Sequence, residues 1–197
     1  MEGRFAGVLA SDVYNTALNE MRLAHFRISA EQGVASATDG VHAAITGSAS
    51  AVTTVTTAIT SPPYPRNLII TPGGTTGDVA ACNITVTGTN IADELITEDF
   101  AFLANATGAT TGTKAFKTVT GISIPQQDGA GATFTVGFGE LLGLPIMLAE
   151  KTLVFALDDG FIMTAPALTV DADEIEKNII DINGSLDGSV YDIFIAL

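Results

Sequence analysis

Apolar and polar residues alternate along much of the second half of the chain. In DVAACNITVTGTN (78–90), Ala80, Cys82, Ile84 and Val86 fall on one side, and Asn83, Thr85 and Thr87 fall on the other. A period of two residues is the pattern of a strand with one buried face. The same alternation predicts strands in ELITEDFAFLAN, AFKTVTGISIP and ATFTVGFGE. No helix long enough for a parallel crossover separates them, so the pattern predicts an antiparallel β-sandwich or barrel.

Two later stretches predict hairpins. KTLVFALDDGFIMTAPALTV alternates on both sides of Asp159-Gly160. NIIDINGSLDGSVYDIFIAL does the same around Asn183-Gly184 or Asp187-Gly188. Asp-Gly and Asn-Gly accept the positive φ angles of two-residue hairpin turns. Threonine-rich outward positions suit pleated surfaces that face water.

The N-terminal part of the chain has a different pattern. Residues 8–29, VLASDVYNTALNEMRLAHFRIS, place apolar residues three and four apart and predict a helix capped by Ser11 or Asp12. Residues 30–61 hold mostly small residues and predict an extended arm, or thin strands lying on another surface. The prolines of PPYP then favour an extended backbone and predict a stiff joint. The expected division is an N-terminal helix and arm over 1–61 and a β body over 62–197.

Charge narrows the classes of function. The chain has 197 residues, with 22 acidic and 8 basic side chains and a net charge of −14. Nucleic-acid binding needs clustered Lys and Arg, so it is not expected. No apolar run reaches the roughly 18 residues of a membrane span, and the N-terminus has no signal-peptide core. We expect synthesis in a cytoplasm without export and no membrane partner.

The sequence holds few residues arranged for chemistry. His25 and His42 have no partner at ligand spacing, and Cys82 falls on the inward side of a strand. GFGELLG (137–143) has one residue too many for a dinucleotide loop and no helix after it. We therefore expect no enzyme activity, no catalytic residue, no cofactor and no metal.

Two groups of carboxylates leave alternatives open. Asp171, Asp173, Glu174 and Glu176 lie within six positions, as in a solvated acidic loop or a site for a hard cation such as Ca²⁺. Asp158 and Asp159 precede Gly160, where Asp is common in turns. A hydrolase using either group is the least favoured function.

Four phrases together carry a resemblance to a known class of proteins. They are PPYPRNLIITPGGTTGDVAACNITVTGTN, TGTKAFKTVTGISIP, GFGELLGLP and TVDADEIEKNIIDINGSLDGSVYDIFIAL. The residues of these segments and their order resemble those of small virion structural proteins of tailed bacteriophages over about 62–197. The resemblance implies a structural protein of the virion, assembled in the host cytoplasm. A head decoration (cement) or minor capsid protein is its closest role, and a neck or tail-tube protein is the alternative.

The expected role implies specific partners and contact residues. The partner would be the major capsid protein, and the chain would form a homo-oligomer, most simply a trimer at local three-fold positions. The expected anchors on the N-terminal segment are Phe5, Leu9, Met21 and Phe26. The alternative from another class is a receptor- or carbohydrate-binding β-sandwich module, which surface aromatics on one loop would favour.

Overall fold

Three antiparallel sheets organise residues 23–197, the part of the chain that the structure, a computed structural model, describes. The central sheet consists of β2 (Ala37–Thr46), β4 (Arg66–Gly74), β7 (Thr110–Thr111), β9 (Ala132–Gly143), β12 (Ala167–Thr169) and β13 (Ile179–Asp181). The threonine sheet consists of β3 (Thr53–Val55), β5 (Cys82–Thr89), β6 (Leu95–Phe102) and β8 (Thr118–Ile124). The terminal sheet consists of β1 (Leu23–Ile28), β10 (Leu153–Asp158), β11 (Phe161–Ile162) and β14 (Tyr191–Ala196). Nowhere in residues 23–197 is there a helix with the length and apolarity that a membrane crossing requires.

Strand β9 is shared by two hydrophobic cores. One edge of β9 pairs with β4 from Ala132 to Leu142. The other edge pairs first with β2, over 133–138, and then with β13, over 142–143. Because β9 changes partner along one edge, its first half packs in one sandwich and its last residues pack in another.

The first sandwich packs the central sheet against the threonine sheet. Its core takes Leu68 and Phe134 from the central sheet and Ile84, Phe100 and Ile122 from the threonine sheet. All five side chains are at most 1% exposed. The alternation predicted for β5, β6, β8 and β9 is therefore confirmed, as is the mainly β, antiparallel fold class.

The second sandwich packs the end of the central sheet against the terminal sheet. Leu142 and Ile180 face Ile28, Tyr191 and Ile193 across this core, and all five are fully buried. The segment between β13 and β14 also contributes Ile182 and Leu186 to it.

A buried arginine and a glutamate hold the two sandwiches together. Arg66 is fully buried, donates from Nη1 to the Val34 carbonyl at 2.7 Å, and lies 4.8 Å from the Phe138 ring centroid. The Glu140 carboxylate lies 3.7 Å from Arg66 Nη2 and accepts hydrogen bonds from the N–H groups of Ser36 and Leu186. Burial lowers the pKa of Arg66 to about 10, and Glu140 opposes that shift. Arg66 therefore stays charged at neutral pH. The pair connects the segment before β2 to the second core.

The predicted N-terminal helix is wrong where the structure describes it. Residues 23–28 form β1, which pairs along its whole length with β14, from Leu23–Ala196 to Ile28–Tyr191. Phe26 and Ile28 also alternate with His25 and Arg27, so this short stretch fits a period of two as well as a helix. The partner strand lies at the far end of the sequence and decides between them. Residues 8–22 of the prediction lie outside the described residues.

Over 37–65 the extended arm and the joint need correction, and the alternative of thin strands on another surface fits. Strand β2 pairs with β9, strand β3 pairs with β8, and Val41 and Ile45 are buried in the first core. Small residues suit β2 because it lies close against β9. A Cβ atom on Gly137 would lie 1.9 Å from the Ala37 carbonyl oxygen. The PPYP stretch therefore connects two parts of one body, and its Pro65 carbonyl accepts a hydrogen bond from Gly143 N–H at 2.8 Å.

One predicted hairpin is confirmed and the other is wrong. Asp159 and Gly160 have φ angles of 45° and 85° and join β10 to β11 as a two-residue turn. Strands β13 and β14 do not pair, because β13 belongs to the central sheet and β14 to the terminal sheet. The segment between them, with its positive φ at Asn183 and Gly188, crosses from one sheet to the other.

Candidate interaction surface

Three aromatic rings lie in a row across the outer face of the terminal sheet. In the strand register, Phe194 of β14 is the neighbour of His25 on β1 and of Phe155 on β10. The rings of His25 and Phe194 stack at 4.5 Å between centroids, and those of Phe155 and Phe194 at 4.4 Å. Since Ile193 and Ile195 point into the second core, Phe194 points away from it. We call this outer side of the terminal sheet the ladder face.

Apolar side chains surround the ring ladder. Leu157 of β10 and Ile162 of β11 are register neighbours on the same side as Phe155. Of the nine large apolar side chains exposed among residues 23–197, Leu23 and Ile162 lie on the ladder face, in register with Ala196 and Leu157. Single exposed apolar residues are ordinary, but a contiguous group marks an interaction surface.

The charges of the ladder face are paired. On the outward positions of the four strands there is one carboxylate, Asp192, whose Oδ1 lies 2.6 Å from His25 Nε2. Its Oδ2 lies 3.9 Å from Arg27 Nη1. In a chain with a net charge of −14, most surfaces repel an acidic partner. The ladder face carries little such repulsion, so an apolar contact can form there.

The acidic residues of 171–176 form a paired network. The Asp171 carboxylate accepts hydrogen bonds from the N–H groups of Asp173 and Glu174, which lowers its pKa. Glu174 pairs with Lys177 and Lys114, and these contacts lower the pKa of Glu174.

Glu176, 6% exposed, completes this network. Its carboxylate lies 3.2 Å from Lys114 Nζ and accepts a hydrogen bond from the Asn90 side chain at 3.2 Å. Burial acts to lower the pKa of Lys114, but its bonds to Glu174 and Glu176 outweigh it and raise that pKa. Lysines and backbone N–H groups thus contact the carboxylates of Asp171, Glu174 and Glu176. Within residues 23–197 there is no group of three or more metal-ligating side chains.

The other residues considered for chemistry have local structural roles. His42 lies in β2, and its Nδ1 contacts the Ala43 carbonyl at 2.7 Å. Cys82 is partly buried, with its sulfur 3.5 Å from the Gln127 side-chain nitrogen. Residues 137–143 are part of β9 and form no loop.

The expected contact residues fall in different places. Phe26 lies on the inward side of β1 and packs against the second core, so it is not an exposed anchor. Phe5, Leu9 and Met21 lie outside the described residues. The residues that form the surface, Phe155 and Phe194, were not among the expected ones. The signal was present in YDIFIAL, where an outward Phe interrupts the polar positions that a solvated face requires.

Comparisons with protein-family models, with curated proteins and with solved structures find no match for this chain.

Proposed function

We propose that this chain is a structural protein of a virion, and specifically a decoration protein that binds the capsid of a tailed bacteriophage. The observation that carries the proposal is the ladder face. The terminal sheet already buries its inner side in the second core, so the stacked rings on its outer side add nothing to that core. Apolar side chains on such a surface gain free energy by contact with another protein.

The partner in this proposal is the assembled lattice of the major capsid protein. The sequence resemblance to phage virion structural proteins supports this choice. A protein that binds only the assembled lattice stabilises it by mass action. Closed homo-oligomers, most simply trimers, would place several ladder faces on neighbouring capsid subunits.

The test is co-sedimentation of the purified protein with capsids assembled without it. The key variant is Phe155→Thr/Ile162→Thr, which gives the ladder face the chemistry of the threonine sheet. The matched control is Leu95→Thr/Leu103→Thr, which changes two exposed leucines of the first sandwich, 73% and 81% exposed. Wild type and control should bind and raise the temperature of DNA release. The ladder variant should lose binding at least about tenfold, or about 1.4 kcal/mol.

Two further measurements locate the contact. Binding at ~50 and ~500 mM salt should differ only modestly, since an apolar contact has little charge attraction to screen. A version lacking residues 1–22 tests Phe5, Leu9 and Met21 while keeping β1. Full binding by the ladder variant would contradict the proposed contact. No binding by wild type would transfer the proposal to a neck or tail-tube protein, whose expected product is a ring of subunits visible by cryo-EM.

A further inference from the structure

A crevice opens at one end of the second sandwich, between the β10–β11 hairpin and residues 182–189. Its volume is 510 Å³. Small-molecule sites in proteins have volumes of about 300–1,000 Å³. Most of the crevice lies on the side of the terminal sheet opposite the ladder face, and Ile162 at its rim belongs to both. Asp158 is the register neighbour of both Tyr191 and Phe161, and Tyr191 is buried in the second core.

One wall of the crevice is apolar. Phe161 lines it with 78% of its surface exposed, beside Met163 and the buried Ile182. Phe161 directly follows the two-residue turn Asp159-Gly160, which joins β10 to β11. A rigid turn therefore presents an aromatic ring at the mouth of a crevice.

The rest of the crevice lining offers polar oxygen atoms. Asp158 lines the crevice, and its Oδ1 is closed to solvent with no hydrogen-bond partner among the described residues, so a ligand hydroxyl reaches that oxygen only when the carboxylate turns toward the crevice. Asp159 Oδ1 accepts a hydrogen bond from Val190 N–H at 2.9 Å, which fixes its carboxylate at the edge of the crevice. Asn183 donates from Nδ2 to the Thr164 carbonyl at 3.3 Å, which orients its amide. A buried acceptor without a donor calls for an explanation such as a bound molecule.

We propose that this crevice binds a neutral saccharide, with a pyranose ring against Phe161 and its hydroxyl groups donating to Asp158 and Asp159. A pyranose combines an apolar C–H face with adjacent hydroxyl donors, and the crevice offers the complement of both. The site goes beyond the docking function, because it involves the other side of the terminal sheet. It gives a decoration protein a second ability, which is attachment to a surface glycan.

The lining argues against other ligands of similar size. Two carboxylates and a net charge of −14 disfavour phosphates, sialic acids and uronic acids. A hard cation requires six or more oxygen ligands, and no group of three metal-ligating side chains occurs within residues 23–197. A small organic amine can pair with the two carboxylates but has no hydroxyl groups for the other acceptors along the rim. Binding of an amine is therefore the competing outcome of the test.

The experiment is saturation-transfer NMR on the full chain with defined probes. They are neutral trisaccharides of glucose, galactose and mannose, a sialylated trisaccharide, and spermidine. Probe concentrations extend to about 10 mM, since isolated sugar sites bind near the millimolar range. The variants are Phe161→Ala and Asp158→Asn, and the control is Leu95→Ala on the first sandwich. Phe161 is exposed, so its replacement leaves the fold intact, as a thermal unfolding curve verifies.

At least one neutral trisaccharide should bind, and both variants should weaken it about tenfold or more while Leu95→Ala does not. Three results would overturn the proposal: no neutral saccharide binds the folded protein, spermidine binds and competes while the sugars do not, or binding is unchanged in Phe161→Ala. Each result is independent of capsid binding, because Phe161→Ala and Asp158→Asn leave Phe155 and Ile162 of the ladder face in place.

Discussion

The outer faces of the two sandwiches differ, although the inner faces beneath them are alike. On the threonine sheet, Thr85 Oγ1 donates to Asp99 Oδ1 at 2.6 Å, and the hydroxyls of Thr89 and Thr118 lie 2.7 Å apart. On the terminal sheet, the corresponding outward row is a stack of rings with Phe194 at its centre. One face satisfies its polar groups with its own neighbours and with water. The other presents carbon to the solvent.

This difference separates stability from recognition. The inner residues of both sheets are buried and hold the fold, so they say nothing about a partner. Outer residues of a strand can be polar and face water, as the threonines do, or apolar and face another protein surface. The ladder face is therefore the part of the molecule whose composition folding alone does not account for.

The largest expected effects test whether the inner faces are alike. Ile84→Ala in the threonine sheet and Ile193→Ala in the terminal sheet each remove a fully buried side chain. Each should lower the free energy of unfolding by about 2–5 kcal/mol, because a cavity remains. Urea denaturation of both variants measures this. A loss below about 1 kcal/mol at either position would show that its sheet is not a layer of a packed core.

The next effect concerns the connection between the two sandwiches. Glu140→Ala removes the carboxylate beside buried Arg66 and two acceptors of backbone hydrogen bonds, so it should cost about 2 kcal/mol. Exposed Glu150→Ala is the control, with a change within about 0.5 kcal/mol. Unfolding should also change from one transition to two if this junction makes the sandwiches cooperative. An unchanged stability would mean that β9 alone couples them.

A smaller effect on stability separates the two outer faces. Phe155→Thr should change the free energy of unfolding by less than about 1 kcal/mol, and Thr85→Ala by less than about 0.5 kcal/mol. Capsid binding, measured by co-sedimentation, should decrease only for Phe155→Thr. A loss of several kcal/mol on replacing Phe155 would instead show that Phe155 is a core residue and not part of an outer face.

The smallest effect is a pH dependence located in the first sandwich. Burial raises the pKa of Glu98 above its ordinary value of 4.5, although hydrogen bonds from Thr113 and Lys114 oppose the shift. A raised pKa means that the folded state binds the proton more tightly. Stability from this group is present below pH 4.5 and is lost as pH rises through the raised pKa.

Urea denaturation across this pH window measures the effect of Glu98. The decrease in stability with rising pH should be weaker in Glu98→Gln, which cannot ionise. Glu94→Gln, on the exposed turn before β6, provides the control and should keep the wild-type profile. Parallel pH profiles for Glu98→Gln and wild type would show that the carboxylate is well solvated.

Sequence alone was sufficient to locate the strands whose two faces have different chemistry. Ile84 and Val86 alternate with threonines, and Phe134, Val136 and Phe138 alternate with small or polar residues, so burial follows directly from a period of two. The Asp159-Gly160 turn was also readable, because positive φ at both positions favours that pair. The local pattern is sufficient where the burial of a strand or the φ angles of a turn depend only on neighbouring residues.

Which strands are neighbours depends on the tertiary structure. Leu23–Ile28 fits a helix or a strand, and pairing with Tyr191–Ala196, at the other end of the chain, makes it a strand. The predicted hairpin over 178–197 failed because β13 and β14 each found a better-buried place in a different sheet. The ladder face exists because that long-range pairing brings His25 and Phe155 to either side of Phe194. Contacts between residues so distant in sequence depend on how the whole chain buries its apolar surface, and no local period records them.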